Sequence, residues 1–326
     1  MNPSMMVLLA TGGDDDLLLL LLKRSIRERL MIPQDRFQLA PACNQTCHAL
    51  FRFSKSRHKQ VVSKWSIDNA TTIGLSNRWM ELAMTFGREP SEICRIFMYM
   101  LNVLYEKYAT KLDFDSDMVQ LCGVASCNAI SRKTGIDTPC AAFIDGAVRP
   151  IARPTYVQKQ AYNGHKCVHS IKFQSVTLAN GLIISMYGPV EGRRHDVILL
   201  QYSDIGRKWQ ACALSGAYIY GDPAYPLRPW LLSPFKGASL THEQAKFNKQ
   251  MSSVRVSVEW CFGAIMRYWA FLDYKKNLRI FLSPVAKMYL IGVLFTNCLT
   301  CARSGNQTSR FFRLDPPSLE RYLNEE

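Results

Sequence analysis

An Asn-Gly pair at 180–181 separates two runs of strand-forming residues, KCVHSIKFQSVTLA (166–179) and LIISMYG (182–188). Asn-Gly favours the left-handed backbone of a two-residue hairpin turn, so the two runs are expected to pair antiparallel. AAFIDGAVRPI (141–151) reads as a strand before them, and AYIYGD (217–222) as a fourth strand after a helical stretch near 195–210. A turn-rich segment, DPAYPLRPWLLSP, leads into a long helix over 241–269 and a final helix opened by Ser283-Pro284. Three strands, a helix, a fourth strand and then helices is the order of an α/β domain built on one mixed sheet.

Ahead of that domain the pattern is helical. Trp79, Leu82, Ala83 and Phe86 fall at helical spacing, Gly87 stops the helix, and Pro90-Ser91 opens another. In this second helix Ile93, Ile96, Phe97, Met100, Leu101, Leu104 and Tyr108 form one stripe. The pair at 78–110 reads either as a helix-turn-helix-like unit or as a plain core hairpin. The expected organisation is a leucine-rich leader (1–22), a basic helical region (23–140), a mixed-sheet domain (141–303) and a C-terminal tail (304–326). Residues 65–78 read as a polar linker.

Charge narrows the partners. The 326 residues carry 40 Lys+Arg against 26 Asp+Glu, a formal net charge of +14, which favours a polyanion such as nucleic acid. Between Lys23 and Lys64 ten of those bases face only two acids, either a solvated face or a phosphate-contacting arm. The eleven cysteines are scattered, and read as free thiols in a reducing compartment. Leu17–Leu22 follows three aspartates and is far too short to span a bilayer, and the apolar run after Pro284 is broken by Lys287, Thr296 and Asn297, so no membrane segment is expected. Cys298 and Cys301 lack a second ligand pair and read as core thiols rather than zinc ligands. No nucleotide-binding glycine motif or nucleophile elbow occurs, which disfavours an organic-cofactor enzyme.

Four acids stand where chemistry can use them. Asp145 lies on the first strand, Asp196 just after the third, Asp222 at the end of the fourth, and Glu259 midway along the long helix. They converge if strands one and four are neighbours and the helix packs on their sheet. In that helix Val254, Val258, Phe262, Ile265 and Trp269 define an apolar stripe, while Asn248, Ser252, Arg255 and Glu259 form a polar one. The polar ridge is either a solvent face or the wall of a cleft. Each acid also has a plainer reading: Asp145 and Asp222 as turn residues, Asp196 as a helix cap, Glu259 as the i, i+4 partner of Arg255. Carboxylates gathered together suit phosphodiester chemistry, because hard divalent ions take oxygen ligands and work in pairs on the attacking and leaving oxygens.

The stretches FIDGAVRPIARP (143–154), YNGHKCVHSIKFQSVTLANGLI (162–183), GPVEGRRHD (188–196), YGDPAYPLRPWL (220–231) and FNKQMSSVRVSVEWCFG (247–263) resemble PIF/Harbinger-type DDE transposases, as does FGREPSEICRIF (86–97). The resemblance implies an RNase H-like domain with flanking helices. It implies a nuclear Mg²⁺- or Mn²⁺-dependent endonuclease, with two ions, that cuts transposon ends and joins 3′ hydroxyls to target DNA. Catalysis would fall to Asp145, Asp222 and Glu259, with Asp196 as a fourth metal-site acid. Lys166, Lys172, Arg193, Arg194 and Arg255 are candidate DNA contacts. Implied partners are double-stranded DNA at terminal inverted repeats and target sites, a Myb/SANT-like DNA-binding protein and further copies of the chain. The sequence departs from the family at Ala147, where Thr or Ser is usual, and in the linker 65–78. A degenerate or host-adopted copy that binds DNA without cutting it is the competing reading.

Overall fold

The computed structural model describes residues 89–323, apart from 213, 215, 274, 276 and 277. The leucine-rich leader, the basic stretch 23–64, the linker and the first helix of the 78–110 pair lie outside the described residues.

Two helices come first. Pro90 opens α1 (Pro90–Asp113), whose buried residues Ile93, Phe97, Leu101, Leu104, Tyr108 and Leu112 recur at helical spacing. The chain re-enters α2 (Ser116–Thr134) through Asp115, whose carboxylate accepts the Met118 N–H, and leaves it at Gly135 in the left-handed region. The stripe predicted for α1 is therefore a core stripe: α1 packs on the sheet strand β4 and on helix α9, defined below. Ile96 of that stripe stays only half-buried.

The sheet is mixed. β1 (Cys140–Pro150) is followed by the single turn α3 (Gln158–Ala161), the two-residue β2 (Tyr162–Asn163), β3 (Val168–Leu178) and β4 (Ile183–Glu191). Asn180-Gly181 makes the foreseen hairpin between β3 and β4, with Gly181 at φ 82°. β1 pairs antiparallel with β3 from Ala142↔Leu178 to Pro150↔Ser170, and parallel with β5 (Tyr218–Tyr220). A further short strand, β6 (Leu231–Leu232), pairs parallel with β5 inside the segment read from sequence as turns only. The order is β4-β3-β1-β5-β6, with β2 also on β3.

Two expected helices are each divided. The stretch near 195–210 forms α4 (Asp196–Tyr202) and α5 (Ile205–Ala211), separated where Asp204 adopts a positive φ of 52°. The long helix breaks at Val256 into α6 (His242–Arg255) and α7 (Ser257–Tyr268), because Glu259 N–H bonds the Val256 carbonyl three residues back rather than the one four back. The apolar stripe nevertheless runs through the break: Val254, Val258, Phe262, Ile265 and Trp269 are all buried. The turn α8 (Ala270–Asp273) precedes α9 (Val285–Ala302), and α10 (Gln307–Phe312) and α11 (Leu319–Tyr322) close the described chain.

Helix α9 is the core's axis. Among the described residues it is the one helix long and apolar enough to cross a bilayer, yet 94% of it is buried inside the protein. Its polar residues all have partners: Lys287 reaches Asn102, Thr296 accepts the Trp269 indole N–H, and Asn297 bonds both the N–H and the carbonyl of Ile183 in β4 and the Tyr322 hydroxyl in α11. One continuous hydrophobic cluster runs from Ile93 through the sheet to Leu323, so the boundaries expected at 140/141 and 303/304 fall inside a single core. All nine described cysteines are free thiols, with Cys298 and Cys301 buried in α9.

Asn297→Leu strands the two Ile183 backbone groups and the Tyr322 hydroxyl away from water. A loss of about 1–3 kcal/mol for each buried group left unpaired is expected, read by chemical denaturation against wild type.

Candidate active site

The topology brings the acids toward one end of the sheet. β1 and β5 run parallel with Phe143 opposite Tyr220, and two residues further along each chain stands an aspartate, Asp145 and Asp222. α7 packs on β1 and presents Glu259 from its first turn.

Asp145 is largely buried, its side chain 17% exposed. One oxygen accepts the Gly146 N–H at 2.8 Å and the other accepts Arg255 Nη1 at 3.2 Å. Burial pushes its carboxyl up to about 6, reinforced by repulsion from Asp222 and Glu259 and opposed by Arg255. Arg255 also reaches the exposed Glu259 at 3.8 Å, spanning the break at Val256. The cation between the carboxylates is thus an arginine of the chain itself.

Asp222 keeps a turn role as well, for Oδ1 accepts the Ala224 N–H and its carbonyl accepts the Tyr225 N–H. Asp196 caps nothing: it is the first residue of α4, whose preceding His195 makes no side-chain cap. Its Oδ1 lies 2.8 Å from Lys172 Nζ, an ion pair by distance, but the lysine aligns its hydrogen bond on the Arg194 carbonyl instead, and Oδ1 has no hydrogen-bonded partner. A Cβ on Gly146 would stand 2.5 Å from that oxygen, so a larger residue there would push the Asp196 carboxylate off β1. Alternation along β1 puts Gly146 and Asp145 on opposite faces, which separates the Asp196 carboxylate from the others.

The basic candidates divide by environment. Lys166 and Arg193 are exposed, on the turn before β3 and the loop after β4. Lys172 is buried beside Asp196, Arg194 pairs with Glu191, and Arg255 holds Asp145. These last three are spent on acids of the chain in this structure.

Sequence reasoning passed over Tyr225 and Gln174. Tyr225 is buried, its hydroxyl 3.3 Å from Gln174 Nε2, and its phenol is pushed well above its usual value by burial first and also by the charges of Asp196, Asp145 and Asp222. The usable signals were the position of Tyr225 three residues after Asp222 and the alternation along β3 that puts Gln174 on the face of Lys172.

Among the described residues no three His, Cys, Asp or Glu side chains stand close enough together to hold one ion. The donor chemistry nevertheless fits a hard divalent cation: Asp145, Asp222 and Glu259 offer oxygens only, and the Asp145 carboxyl, raised chiefly by burial, is pushed a little further by the other two.

With that geometry in place, comparison with known proteins gives two likenesses. Residues 144–297, which contain all four acids, match the family model of the DDE superfamily endonucleases. A curated protein from Arabidopsis thaliana, Protein ALP1-like, is 32% identical over 56 residues, 17% of this chain and 14% of that protein, so the chain matches only a small part of its length. No solved structure matches.

A raised folded-state carboxyl is a stability cost that appears as pH rises. Asp145 contributes no penalty below about 4, and as pH climbs through 6 the folded state loses up to about 3 kcal/mol relative to a neutral side chain. Asp145→Asn should remove that window, so the stability difference between wild type and variant, followed by denaturation from pH 4 to 7, is expected to grow in favour of the variant. A constant difference would show that the Asp145 carboxyl is not raised.

Proposed function

We propose that this protein is a divalent-metal-dependent DNA endonuclease of the DDE type, working as a transposase on an RNase H-like sheet. The observation that carries the reading is the parallel β1–β5 register: Asp145, midway along β1, and Asp222, just beyond β5, each follow the paired Phe143 and Tyr220 by two residues, and Asp222 and Glu259 from α7 both act on the Asp145 carboxyl. The match to the DDE superfamily endonucleases over the same span supports it.

In this reading Asp145, Asp222 and Glu259 hold Mg²⁺ or Mn²⁺, two ions in all. When bound, the metal supplies a polarised water for strand cleavage and charge stabilisation at the leaving oxygen. The chain does the rest. Asp145, with a carboxyl near 6, is ionised at neutral pH and available as a ligand. Arg255 must release Asp145 and Glu259 for both to turn to another cation, and it is then placed to meet a DNA phosphate. Asp196, whose carboxylate lies against Gly146 on the other face of β1, stands apart from these three, and opening its pair with Lys172 would free that lysine for a phosphate. Lys166, Arg193 and Arg194 contribute further phosphate contacts. Terminal inverted repeats and target DNA as substrates, a nuclear location, a Myb/SANT-like partner and a multimer joining two ends complete the proposal.

The pairing of Asp145 with Arg255 favours a second reading, in which the acids are a structural ion-pair network and the chain binds DNA without cutting it.

Glu259→Gln should abolish Mn²⁺-dependent cleavage of DNA while leaving DNA binding within a few-fold of wild type. In parallel, a cation at about 100 times its dissociation constant adds about 2.7 kcal/mol, so Mn²⁺ should raise the wild-type melting temperature and not that of Asp145→Asn. Cleavage by Glu259→Gln at the wild-type rate would remove Glu259 from the site. DNA binding with neither cleavage nor a Mn²⁺ shift would select the second reading.

A further inference from the structure

Away from the carboxylates, a cleft of about 610 Å³ opens where β1 ends, between the segment after Pro150, the start of β3, Lys275 and the segment 279–282. Three cations line it, Arg153, Lys275 and Arg279, all exposed, and no described lining residue is acidic. The cleft is a built feature: the Ala152 N–H bonds the Leu278 carbonyl, joining its two walls, and Arg153 Nε is oriented by Gln158 Oε1 at 2.9 Å. Aromatic surface accompanies the charge. Phe281 lines the cleft, and Tyr156, 73% exposed, stands edge-on to it at 6.4 Å.

We infer that this cleft binds a single DNA strand, with Arg153, Lys275 and Arg279 on successive phosphates and Tyr156 stacking on a base. Clustered cations without acids select a polyanion, and an open aromatic ring beside them selects one that carries planar bases. The cleft also lies within reach of the candidate catalytic acids: Pro150 is five residues along β1 from Asp145, about 17 Å, a span that a few nucleotides of an extended single strand bridge. A strand engaged at Asp145 and Asp222 would therefore extend to the cleft. The inference rests on the DNA-directed reading above and adds to it the place where the strand runs out of the site.

The test uses the full chain and a fluorescent single strand of about 16 nucleotides, titrated by anisotropy over a range of salt. The variant Arg153→Ala/Lys275→Ala/Arg279→Ala is expected to bind about tenfold or more weakly at moderate salt, and its log–log salt slope to fall by about 2, as the loss of three single-strand phosphate contacts requires. Its melting temperature should match wild type, since the three side chains are exposed. Arg279→Glu alone serves as a second variant should the triple change fail to fold, with a loss in the same direction. Tyr156→Ser should weaken binding and leave the salt slope unchanged. Wild-type binding with unchanged affinity and slope in the variants overturns the cleft and leaves the DNA reading standing. Absence of strand binding by wild type overturns the cleft, while the DNA reading stands or falls on the Mn²⁺-dependent cleavage test above. Polyglutamate competing as well as the oligonucleotide would assign the cleft to an acidic protein and overturn the inference.

Discussion

Everything at the carboxylate end follows from β1 having neighbours of opposite sense. Its antiparallel partner β3 comes by a local route, and its parallel partner β5 requires the chain to cross over through α4 and α5. The crossover turns residues 77 positions apart in sequence, Asp145 and Asp222, into neighbours. It also carries Asp196 past β1 at the start of α4, where Gly146 leaves room for it. Register here is a chemical specification, because a slip of one residue would send Asp145 to the other face.

The acids so gathered are held by the chain's own cations. Arg255 lies between Asp145 and Glu259, and Lys172 lies against Asp196. These contacts keep a repulsive set compatible with a folded core, and they make the same residues the ones that must move for any external cation or phosphate to be engaged. The break at Val256 is part of this arrangement: Arg255 ends one helix and Glu259 sits in the first turn of the next, so the two partners belong to separate helical segments.

How much could be read beforehand depended on whether the signal was local. The Asn180-Gly181 hairpin, the strands around it and the apolar stripe of α6 and α7 were legible because alternation and helical spacing are short-range. Helix α2 was passed over: its small, mixed residues give little period, and only Asp115 and Gly135 mark its ends. The break at Asp204 carries a mark that was overlooked, since Ser203-Asp204 is a turn and N-cap pair, whereas Val256 is an ordinary helix residue and announces nothing. β6 has two residues and exists only because β5 offers it an edge. At the site, the positions of the acids on strand, strand end and helix were legible, but Arg255 and Lys172, read as DNA contacts, are paired within the chain. Their distances to Asp145 and Asp196 are set by the fold, and sequence spacing carries no trace of them. Tyr225 escaped because a buried tyrosine in a turn-rich segment looks like any other turn residue.

The single core has a further consequence for what counts as a unit. The span resembling DDE superfamily endonucleases, 144–297, begins partway along β1 and ends at Asn297 in α9. It lacks Ile93, Phe97 and Leu101 from α1, Ala141 to Phe143 from β1 itself, and Phe312, Leu319 and Tyr322 from the last two helices, all of which fill the same interior. An excised fragment with those limits would expose the apolar faces that these residues cover, including much of α9. The stretch over which relatedness is recognised and the stretch that must be translated together to fold are therefore different objects. Substitutions of Phe97 in α1 or Tyr322 in α11, outside the recognised span, therefore act on the same core as those within it.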